Sequence, residues 1–283
     1  MLQRKTIDSW QVEYEQLPYP NVQKGMVLSP EKMQQHDPFL LMAEDWFKRG
    51  AFSDHPHRGF QTITYVVDGR LEHFDNAGGH SILDAGDMQY MNAGGAARHA
   101  EEAVDDDLIH TLQLWLNLPK DQKFTDTYYE NVRVDEAPTF DIDNGQVRVY
   151  SGDVAGTKGP TKSVYPFTMV EVYLKEGAEY ELPLDAADTA FCYVLAGEAS
   201  VGTDDVALSR AGVAVFERGE EGESTVLLKA KTRTRILVYA GTPIGEPVAA
   251  GGPFVMNTED EIQQAFRDYH AGKFGPTSQP QGR

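Results

Sequence analysis

Hydrophobic and polar residues alternate in short runs along most of the chain, which is the pattern of half-buried β-strands. Residues 10–14 read Trp-Gln-Val-Glu-Tyr, and residues 112–118 read Leu-Gln-Leu-Trp-Leu-Asn-Leu. Residues 62–67 are rich in β-branched and aromatic side chains, and the Asp68-Gly69 pair that follows them is the strongest hairpin signal in the chain. Short strands between glycine-rich turns predict an all-β protein, built as an antiparallel sandwich or barrel.

The strand pattern occurs twice along the chain. Residues 193–198 read Tyr-Val-Leu-Ala-Gly-Glu and echo residues 65–70, which read Tyr-Val-Val-Asp-Gly-Arg. Residues 211–216 echo residues 85–90, because both begin with Ala-Gly and continue into a strand. Two copies of one pattern predict a single barrel module that is used twice.

A loop separates the two predicted modules. Residues 151–161 carry three glycines and a proline, which favours exposed irregular structure over a strand. We place the boundary in this region and expect an N-terminal module over residues 1–150 and a C-terminal module over residues 151–283.

The last part of the chain predicts one short helix. Thr258 is a candidate N-cap, and three acidic residues follow it in the first turn. Gly272 is a plausible end, and from Pro276 onward we expect a disordered tail. Four apolar residues fall on one face of this helix: Ile262, Ala265, Phe266 and Tyr269.

Composition is that of a folded protein without a membrane span. Hydrophobic residues make up 41% of the chain and charged residues 24%, and no run approaches the roughly 20 apolar residues of a membrane helix. The N-terminus lacks the apolar core of a signal peptide, and the single cysteine, Cys192, excludes an internal disulfide. We therefore expect a cytoplasmic protein. The net charge of -19 argues against direct nucleic-acid binding but allows a basic protein partner.

Two pairs of metal-capable side chains lie in the first module. His55 and His57 form one pair, and His99 and Glu101 form the other, each with one residue between. Residues i and i+2 of a strand point to the same face, so both members of a pair can face one pocket. Three imidazoles and a carboxylate suit iron, copper, nickel, manganese or zinc. We therefore predict a divalent metal site with open positions for water, substrate or dioxygen.

The second module lacks this set of side chains. The positions that match His55 and His57 hold Pro183 and Asp185, and residues 111–269 contain no histidine. We therefore expect metal binding in the N-terminal module alone.

The side chains around the two pairs have more ordinary interpretations. Glu102 points away from Glu101 and is interpreted as a solvated carboxylate, while Arg58 is expected to pair with Asp54 or to shape the pocket entrance. Glu101 itself has two roles open to it, as a metal ligand or as a general base for a substrate hydroxyl. The lone histidines are interpreted as hydrogen-bonded surface or core residues: His36, His73, His80, His110 and His270.

Five motifs together resemble the pirin family over nearly the whole chain. They are DPFLL at residues 37–41, HPHRGF at 55–60, GDMQYM at 86–91, HAE at 99–101 and GPFVMNT at 252–258. Pirins belong to the cupin superfamily, so the resemblance implies two jelly-roll-type β-barrel modules in tandem. It also implies a short C-terminal helix that packs back onto the first module through Ile262, Ala265 and Phe266.

The resemblance also implies a ligand set and a metal. In the family the N-terminal module binds one metal, usually iron, through positions that match His55, His57, His99 and Glu101, and the C-terminal module carries none. Fe(II) is therefore the expected metal, with copper, nickel, manganese and zinc as alternatives. Gln61 stands where the general cupin pattern has a glutamate, which implies that Glu101 supplies the carboxylate and Gln61 does not.

Two functions are implied by the same resemblance. The first is a quercetin 2,3-dioxygenase-like enzyme, in which a flavonol would bind the metal through its 3-hydroxyl and neighbouring carbonyl. Glu101 would take the hydroxyl proton, and dioxygen would cleave the ring with release of carbon monoxide. The second is an iron-dependent, redox-sensing regulatory protein that binds a transcription factor or a metabolic enzyme.

Overall fold

The computed structural model of the chain describes residues 1–278. Over this range most of the regular structure is β-strand, as the alternating pattern predicts. The first thirteen strands are β1 (Leu2–Gln3), β2 (Thr6–Gln11), β3 (Tyr14–Gln16), β4 (Asn21–Leu28), β5 (Phe39–Phe47), β6 (Phe52–His57), β7 (Phe60–Asp68), β8 (Leu71–Asp75), β9 (His80–Leu83), β10 (Met88–Asn92), β11 (Ala97–Ala103), β12 (Ile109–Asn117) and β13 (Tyr128–Val132). Single turns of 3-10 helix lie at Pro30–Lys32 and Lys120–Gln122.

The remaining strands and the predicted helix follow in the second half of the chain. They are β14 (Thr139–Ile142), β15 (Gly145–Ser151), β16 (Asp153–Val154), β17 (Thr157–Lys158), β18 (Thr168–Leu174), β19 (Glu179–Asp185), β20 (Thr189–Ala196), β21 (Glu198–Val201), β22 (Val206–Ser209), β23 (Gly212–Phe216), β24 (Glu223–Ala230), β25 (Thr234–Gly241), β26 (Ala249–Gly251), β27 (Phe254–Met256) and α1 (Glu259–His270). Within residues 1–278, no helix has the length and apolar character needed to cross a membrane.

The chain forms two compact units, each made of several segments. The histidine unit consists of residues 14–134, 163–165 and, among the described residues, 244–278. The companion unit consists of residues 1–13, 135–162 and 166–243. All eight histidines of the chain belong to the histidine unit. These contact-defined units differ from the predicted modules, residues 1–150 and 151–283, at both ends of the chain, and the module division itself stays a prediction.

The histidine unit contains two main antiparallel sheets. The larger has the order β13-β10-β7-β12-β5-β4-β3, and the smaller has the order β6-β11-β8-β9. The chain bends at Gly69, but β8 does not return along β7, so the hairpin predicted from Asp68-Gly69 is wrong. Strand β8 leaves the larger sheet and pairs with β11 and β9 in the smaller one. β8 thus connects the larger sheet to the smaller sheet, whose strands β6 and β11 carry His55, His57 and His99.

The companion unit repeats the two-sheet plan with a different interior. Its larger sheet has the order β14-β15-β18-β25-β20-β23-β2, and its second sheet has the order β1-β24-β21-β22, with β19 also paired to β24. The core is a cluster of small aliphatic side chains such as Val172, Leu182 and Val238, each fully buried. Pro183 and Asp185, which match His55 and His57, lie on β19. This unit offers no imidazole to a metal.

The C-terminal segment packs within the histidine unit. Thr258 caps α1 in a capping box with Glu261, as the acidic first turn predicts. Ile262 and Ala265 are buried in a cluster with residues of β26 and β27. Phe266 remains 38% exposed. Two of the three residues predicted to pack the helix against the first module, Ile262 and Ala265, are therefore buried.

The tail is ordered further than its composition predicts. The backbone N–H and the hydroxyl of Ser278 both donate to Oδ1 of Asp54, each over 2.7 Å. Phe274, just before the tail, is buried. The prediction of disorder from Pro276 onward is therefore wrong for residues 276–278, and the rest of that tail lies outside the described residues.

Gly59 joins β6 to β7 where a side chain has no room. Its φ is +90°, and a Cβ atom there would lie 1.9 Å from the carbonyl oxygen of Val255. Gly78 has a φ of +91° but open space around it. We expect Gly78→Ala to lower the free energy of unfolding by about 1–2 kcal/mol through the left-handed backbone alone, and Gly59→Ala to lower it by about 1–3 kcal/mol more. Urea unfolding measures both, and equal losses would contradict the close approach of β27.

Candidate metal centre

Strand geometry brings three of the predicted ligands together. His55 and His57 lie on β6 with one residue between them, and the antiparallel pairing of β6 with β11 sets His99 directly opposite His55. Pro56 lies between the two histidines on an edge strand, where its missing N–H is tolerated. The period of two and the register therefore place all three imidazoles on one face of the smaller sheet.

The three imidazoles form a compact cluster. One ring nitrogen from each of His55, His57 and His99 lies within 4.8 Å of the others. The ring centroids are 4.7 Å apart for His55 and His57, 4.4 Å for His55 and His99, and 4.9 Å for His57 and His99. His57 and His99 are buried, whereas His55 is half-buried at the outer side of the cluster.

Burial keeps two of these imidazoles neutral. It holds the pKa of His57 and of His99 well below the usual 6.5, and the neighbouring His55 lowers both further. A carbonyl oxygen can only accept, so Nδ1 of His55 donates to the carbonyl of Ser53 over 2.8 Å, and Nδ1 of His57 faces that of Pro253 at 3.4 Å. This tautomer leaves the Nε2 lone pairs of His55 and His57 available to a metal.

Unpaired ring nitrogens show that the donor set fits a divalent metal. Nε2 of His57 and both ring nitrogens of His99 are buried without a hydrogen-bond partner among the described residues. A buried polar atom left unpaired costs roughly 1–3 kcal/mol, so such atoms normally have a partner. Neutral imidazoles are ligands for first-row divalent metals, and metal binding would satisfy these nitrogens.

Glu101 lies on the same strand as His99 but is not a member of the cluster. The pairing of β11 with β6 is irregular between His99 and Glu101. The Glu101 side chain is buried, and its carboxylate accepts hydrogen bonds from Thr64 Oγ1 over 3.1 Å and from Gln113 Nε2 over 2.7 Å. The structure thus brings three predicted ligands together and holds the fourth on neighbouring donors. The four-ligand set stays a prediction.

His73 is a residue whose position the sequence interpretation missed. It is fully buried opposite Glu101 in the β8–β11 register. Its Nε2 faces Asp75 Oδ2 at 3.5 Å, and its Nδ1 has no hydrogen-bond partner among the described residues. Its ring centroid lies 5.6 Å from that of His99 and 4.5 Å from that of Tyr129. His73 and Asp75 have the same spacing of one intervening residue as the ligand pairs, a signal that would have found it.

The interpretation of Glu102 is wrong, and so is one of the two alternatives given for Arg58; the other, that Arg58 shapes the pocket entrance, stays a prediction. Glu102 is buried and accepts a hydrogen bond from the backbone N–H of Gly50 over 2.5 Å, so it is not solvated. Arg58 does not pair with Asp54 but forms an ion pair with Asp268 over 2.9 Å. Both errors arise because the true partners lie on segments that spacing along the chain does not connect.

Gln61 is occupied elsewhere. Its Oε1 accepts hydrogen bonds from the hydroxyl of Tyr90 over 2.6 Å and from the backbone N–H of Tyr165 over 3.1 Å. Gln61 lies on β7 at an odd position, whereas Thr62 and Thr64 lie at even positions. Gln61 therefore points to the opposite face of the sheet from Thr64, which is hydrogen-bonded to Glu101. These contacts support the expectation that Gln61 is not a ligand.

Comparison with known proteins decides the family. The family model described as Pirin matches residues 22–116, and the model of the Pirin C-terminal cupin domain matches residues 169–275. The chain belongs to the pirin family. Among its pirin relatives, Pirin-1 of Arabidopsis thaliana is 36% identical over 258 residues, which cover 90% of this chain and 88% of that protein.

Solved structures agree with the pirin fold. GK1651 from Geobacillus kaustophilus is 39% identical, with a TM-score of 0.85 over 87% of this chain and 99% of that chain. A quercetin 2,3-dioxygenase from Acinetobacter baumannii is 30% identical, with a TM-score of 0.86 over 96% of this chain and 99% of that chain. The prediction of an all-β, tandem-cupin protein with a short C-terminal helix is confirmed.

Removal of one buried imidazole tests the cluster. Loss of a residue that only supports a metal ligand can weaken metal binding by roughly 100-fold. We expect His57→Ala, which removes a predicted ligand itself, to weaken metal binding by at least as much. The control is His80→Ala, because His80 is half exposed and pairs with Glu72. Metal analysis after anaerobic loading with iron measures the content, and stoichiometric metal in His57→Ala would remove His57 from the site.

The lowered pKa values predict how the metal-free protein responds to acid. The unfolded chain protonates its histidines below pH 6.5, whereas folded His57 and His99 do so only at lower pH. Below pH 6.5 the unfolded state therefore binds more protons than the folded state. As the pH is lowered through this range, the free energy of unfolding decreases by up to about 1.4 kcal/mol per pH unit for each histidine.

Chemical unfolding of the metal-free protein between pH 7.5 and 5 measures this dependence. We expect His99→Phe to have a shallower loss of stability with falling pH than the wild-type protein. His80→Phe, which removes an imidazole outside the cluster, serves as the control, and its slope should not become shallower than that of the wild-type protein. Identical slopes in His99→Phe and wild type would contradict a neutral, buried His99.

Proposed function

We propose that this protein is a metal-dependent dioxygenase with quercetin 2,3-dioxygenase-type activity. The observation that carries the proposal is the combination of three clustered imidazoles with a separate buried carboxylate, Glu101, on the strand that carries His99. Such a site offers a metal and a base to the same substrate. The 30% identity to a quercetin 2,3-dioxygenase, over nearly the whole of both chains, supports the choice of reaction.

The proposed metal is Fe(II), with copper, nickel, manganese or zinc as the alternatives that this donor set also suits. His55, His57 and His99 would hold it, and Glu101 would be the fourth ligand in one of its positions. When bound, the metal would supply a Lewis-acid and redox centre for a flavonol and dioxygen. Three or four protein ligands leave coordination positions open for small molecules.

Glu101 is the proposed catalytic base. Its carboxylate is buried and receives hydrogen bonds from Thr64 and Gln113, so its orientation is held by donors. A carboxylate held in this way can take the proton of a flavonol 3-hydroxyl and hold it while the ring is cleaved.

Aromatic side chains give the cluster an apolar wall. Phe60 and Trp115 stack with ring centroids 4.1 Å apart, and they meet the ring of His57 edge-on at 5.0 and 5.3 Å. Phe60 is fully buried, and Trp115 is half-buried. A flat apolar surface beside the metal ligands excludes water and suits a planar aromatic substrate.

The decay of quercetin absorbance under air tests the proposal. We expect turnover by the metal-loaded protein and a loss of about 10²- to 10⁴-fold in Glu101→Gln, because a positioned base contributes that much. Glu102→Gln is the matched control, since Glu102 is an adjacent buried carboxylate bonded to Gly50 rather than directed at the site. Metal content is measured in each variant so that lost activity is not lost metal.

Several outcomes discriminate between functions. No turnover with iron, copper, nickel or manganese would contradict the dioxygenase. A protein that binds iron but turns over no flavonol would instead favour the iron-dependent, redox-sensing regulator. That function requires a transcription factor or metabolic enzyme whose binding changes with the oxidation state of the metal.

A further inference from the structure

Lys123 is a buried lysine that uses all three donors of an ammonium group. It directly follows the turn of 3-10 helix at Lys120–Gln122, and only 1% of it is exposed. Its Nζ donates to the carbonyl oxygen of Gly59 over 2.8 Å, to Asn117 Oδ1 over 2.8 Å and to the carbonyl oxygen of Val255 over 3.2 Å. An ammonium group has three N–H donors, whereas a neutral amine has two. Three acceptors around one nitrogen therefore favour the charged form.

The Lys123 charge has no close carboxylate partner among the described residues, although a fully buried lysine is almost always paired. Glu246 and Glu261 act on it from a distance, and each raises its pKa. Burial outweighs them and lowers the pKa of Lys123 to about 8. Lys120 and Asp121, in the adjoining turn, are exposed. The charged form therefore depends on the three hydrogen bonds of the ammonium group.

Two of the three acceptors belong to segments that meet beside the histidine cluster. Gly59 lies in the turn between β6 and β7, and Val255 lies in β27. The backbone N–H of Val255 donates to the carbonyl of Arg58 over 3.0 Å, and that of Arg58 donates to the carbonyl of Pro253 over 3.3 Å. The guanidinium of Arg58 is paired with α1. Lys123 therefore adds a side-chain bridge where backbone hydrogen bonds already join β27 to this turn.

The joined segments also orient His57. Nδ1 of His57 faces the carbonyl of Pro253 at 3.4 Å, and a proton held on Nδ1 leaves Nε2 available to a metal. Pro253 is two residues before Val255, and Gly59 is two residues after His57. A distance of 3.4 Å is long for a hydrogen bond. A small shift of residues 253–255 away from the turn would therefore break this contact and free the imidazole to rotate.

We propose that Lys123 is a positioning residue whose ammonium group holds residues 253–255 against the turn after His57, and so keeps the His57 imidazole in the orientation that binds a metal. This proposal rests on the proposed metal site, but not on the flavonol reaction. Loss of the proton would leave two donors for three acceptors and would loosen the bridge. Metal binding and protonation of Lys123 would therefore favour each other.

This linkage predicts the direction in which pH changes metal affinity. The pKa values of His57 and His99 lie well below 6.5, so both are already neutral at pH 7 and do not change on further addition of alkali. Lys123, with a pKa of about 8, loses most of its protons between pH 7 and pH 9. The contribution of Lys123 to metal affinity should therefore be present at pH 7 and largely lost at pH 9.

Cobalt(II) affinity at these two pH values tests the proposal without relying on turnover. Lys123→Met removes the donors at similar size, and competition with a chelator of known affinity gives the dissociation constant. We expect the variant to bind cobalt about 10-fold more weakly than the wild-type protein at pH 7, as loss of a residue that supports a ligand does. At pH 9 the difference should shrink to about 2-fold. Because cobalt hydrolysis affects both proteins alike, the ratio of the two constants reports on Lys123.

A substitution at Asn117 tests the charge of Lys123 from the opposite direction. Asn117→Asp keeps the size of the side chain and gives the ammonium group a carboxylate partner, which should raise the pKa of Lys123. We expect this variant to match the wild-type cobalt affinity at pH 7 and to bind more tightly than the wild-type protein at pH 9. It decides the question if Lys123→Met does not fold.

Two further variants serve as controls. Lys120→Met removes an exposed lysine three residues from Lys123 and should match the wild-type affinity at both pH values. Gly78→Ala, which is expected to destabilise the fold through a turn with open space around it, should also keep the wild-type affinity. The second control shows that lower stability alone does not weaken cobalt binding.

The results separate this proposal from the proposed reaction. Equal cobalt affinity of Lys123→Met and the wild-type protein at pH 7 would overturn it, as would a ratio that is the same at pH 7 and pH 9. Wild-type affinity of Asn117→Asp at pH 9 would also overturn it. Absence of cobalt binding by the wild-type protein would overturn it together with the metal centre. The expected ratios in a protein that never turns over quercetin would support the role of Lys123 and contradict only the dioxygenase.

Discussion

The antiparallel pairing of β6 with β11 is the constraint on which the three-histidine cluster depends. It sets His99 opposite His55 and the small Ala97 opposite His57, so that three imidazoles share one face without a bulky neighbour between them. Because side chains alternate along a strand, a slip of one residue would turn the histidines of β6 away from His99. β6 is at the edge of its sheet, and its register therefore relies on β11 and on contacts beyond the sheet.

The C-terminal segment supplies those further contacts at residues that adjoin the three histidines of the cluster. Arg58, next to His57, forms a buried ion pair with Asp268 of α1 and a backbone hydrogen bond from Val255. Asp54, next to His55, pairs with Arg98, which is next to His99, and also receives both hydrogen bonds of Ser278. The helix and tail thus stabilise the backbone on which the imidazoles are carried, and the site is a product of the whole histidine unit.

The shared face of His55 and His57 could be predicted because strand periodicity is local, and the two residues need only an extended backbone to point the same way. The same spacing in His73 and Asp75 marks an imidazole that lies beside the cluster, with its ring centroid 5.6 Å from that of His99, although it is not a member of the cluster. Other features depend on tertiary contacts that spacing does not encode. Three such features are the irregular pairing beside Glu101, the hydrogen bond that Glu101 accepts from Gln113, and the ion pair of Arg58 with Asp268. Each depends on how strands or the C-terminal helix pack against one another. The crossing of β8 to the smaller sheet was missed for the same reason. A turn signal predicts that the chain reverses, but it does not determine which strand the next strand pairs with.

The two units differ in the side chains that the same two-sheet plan encloses. Both consist of two sheets, but the companion unit fills its interior with aliphatic side chains, whereas the histidine unit buries imidazoles, a carboxylate and their polar partners. Anomalous diffraction at the absorption edge of iron, from crystals loaded with Fe(II) under anaerobic conditions, tests the central claim most directly. The predicted result is one anomalous peak per chain, surrounded by His55, His57 and His99. A peak elsewhere, or protein that takes up no iron, would contradict the assignment of the cluster as the metal centre.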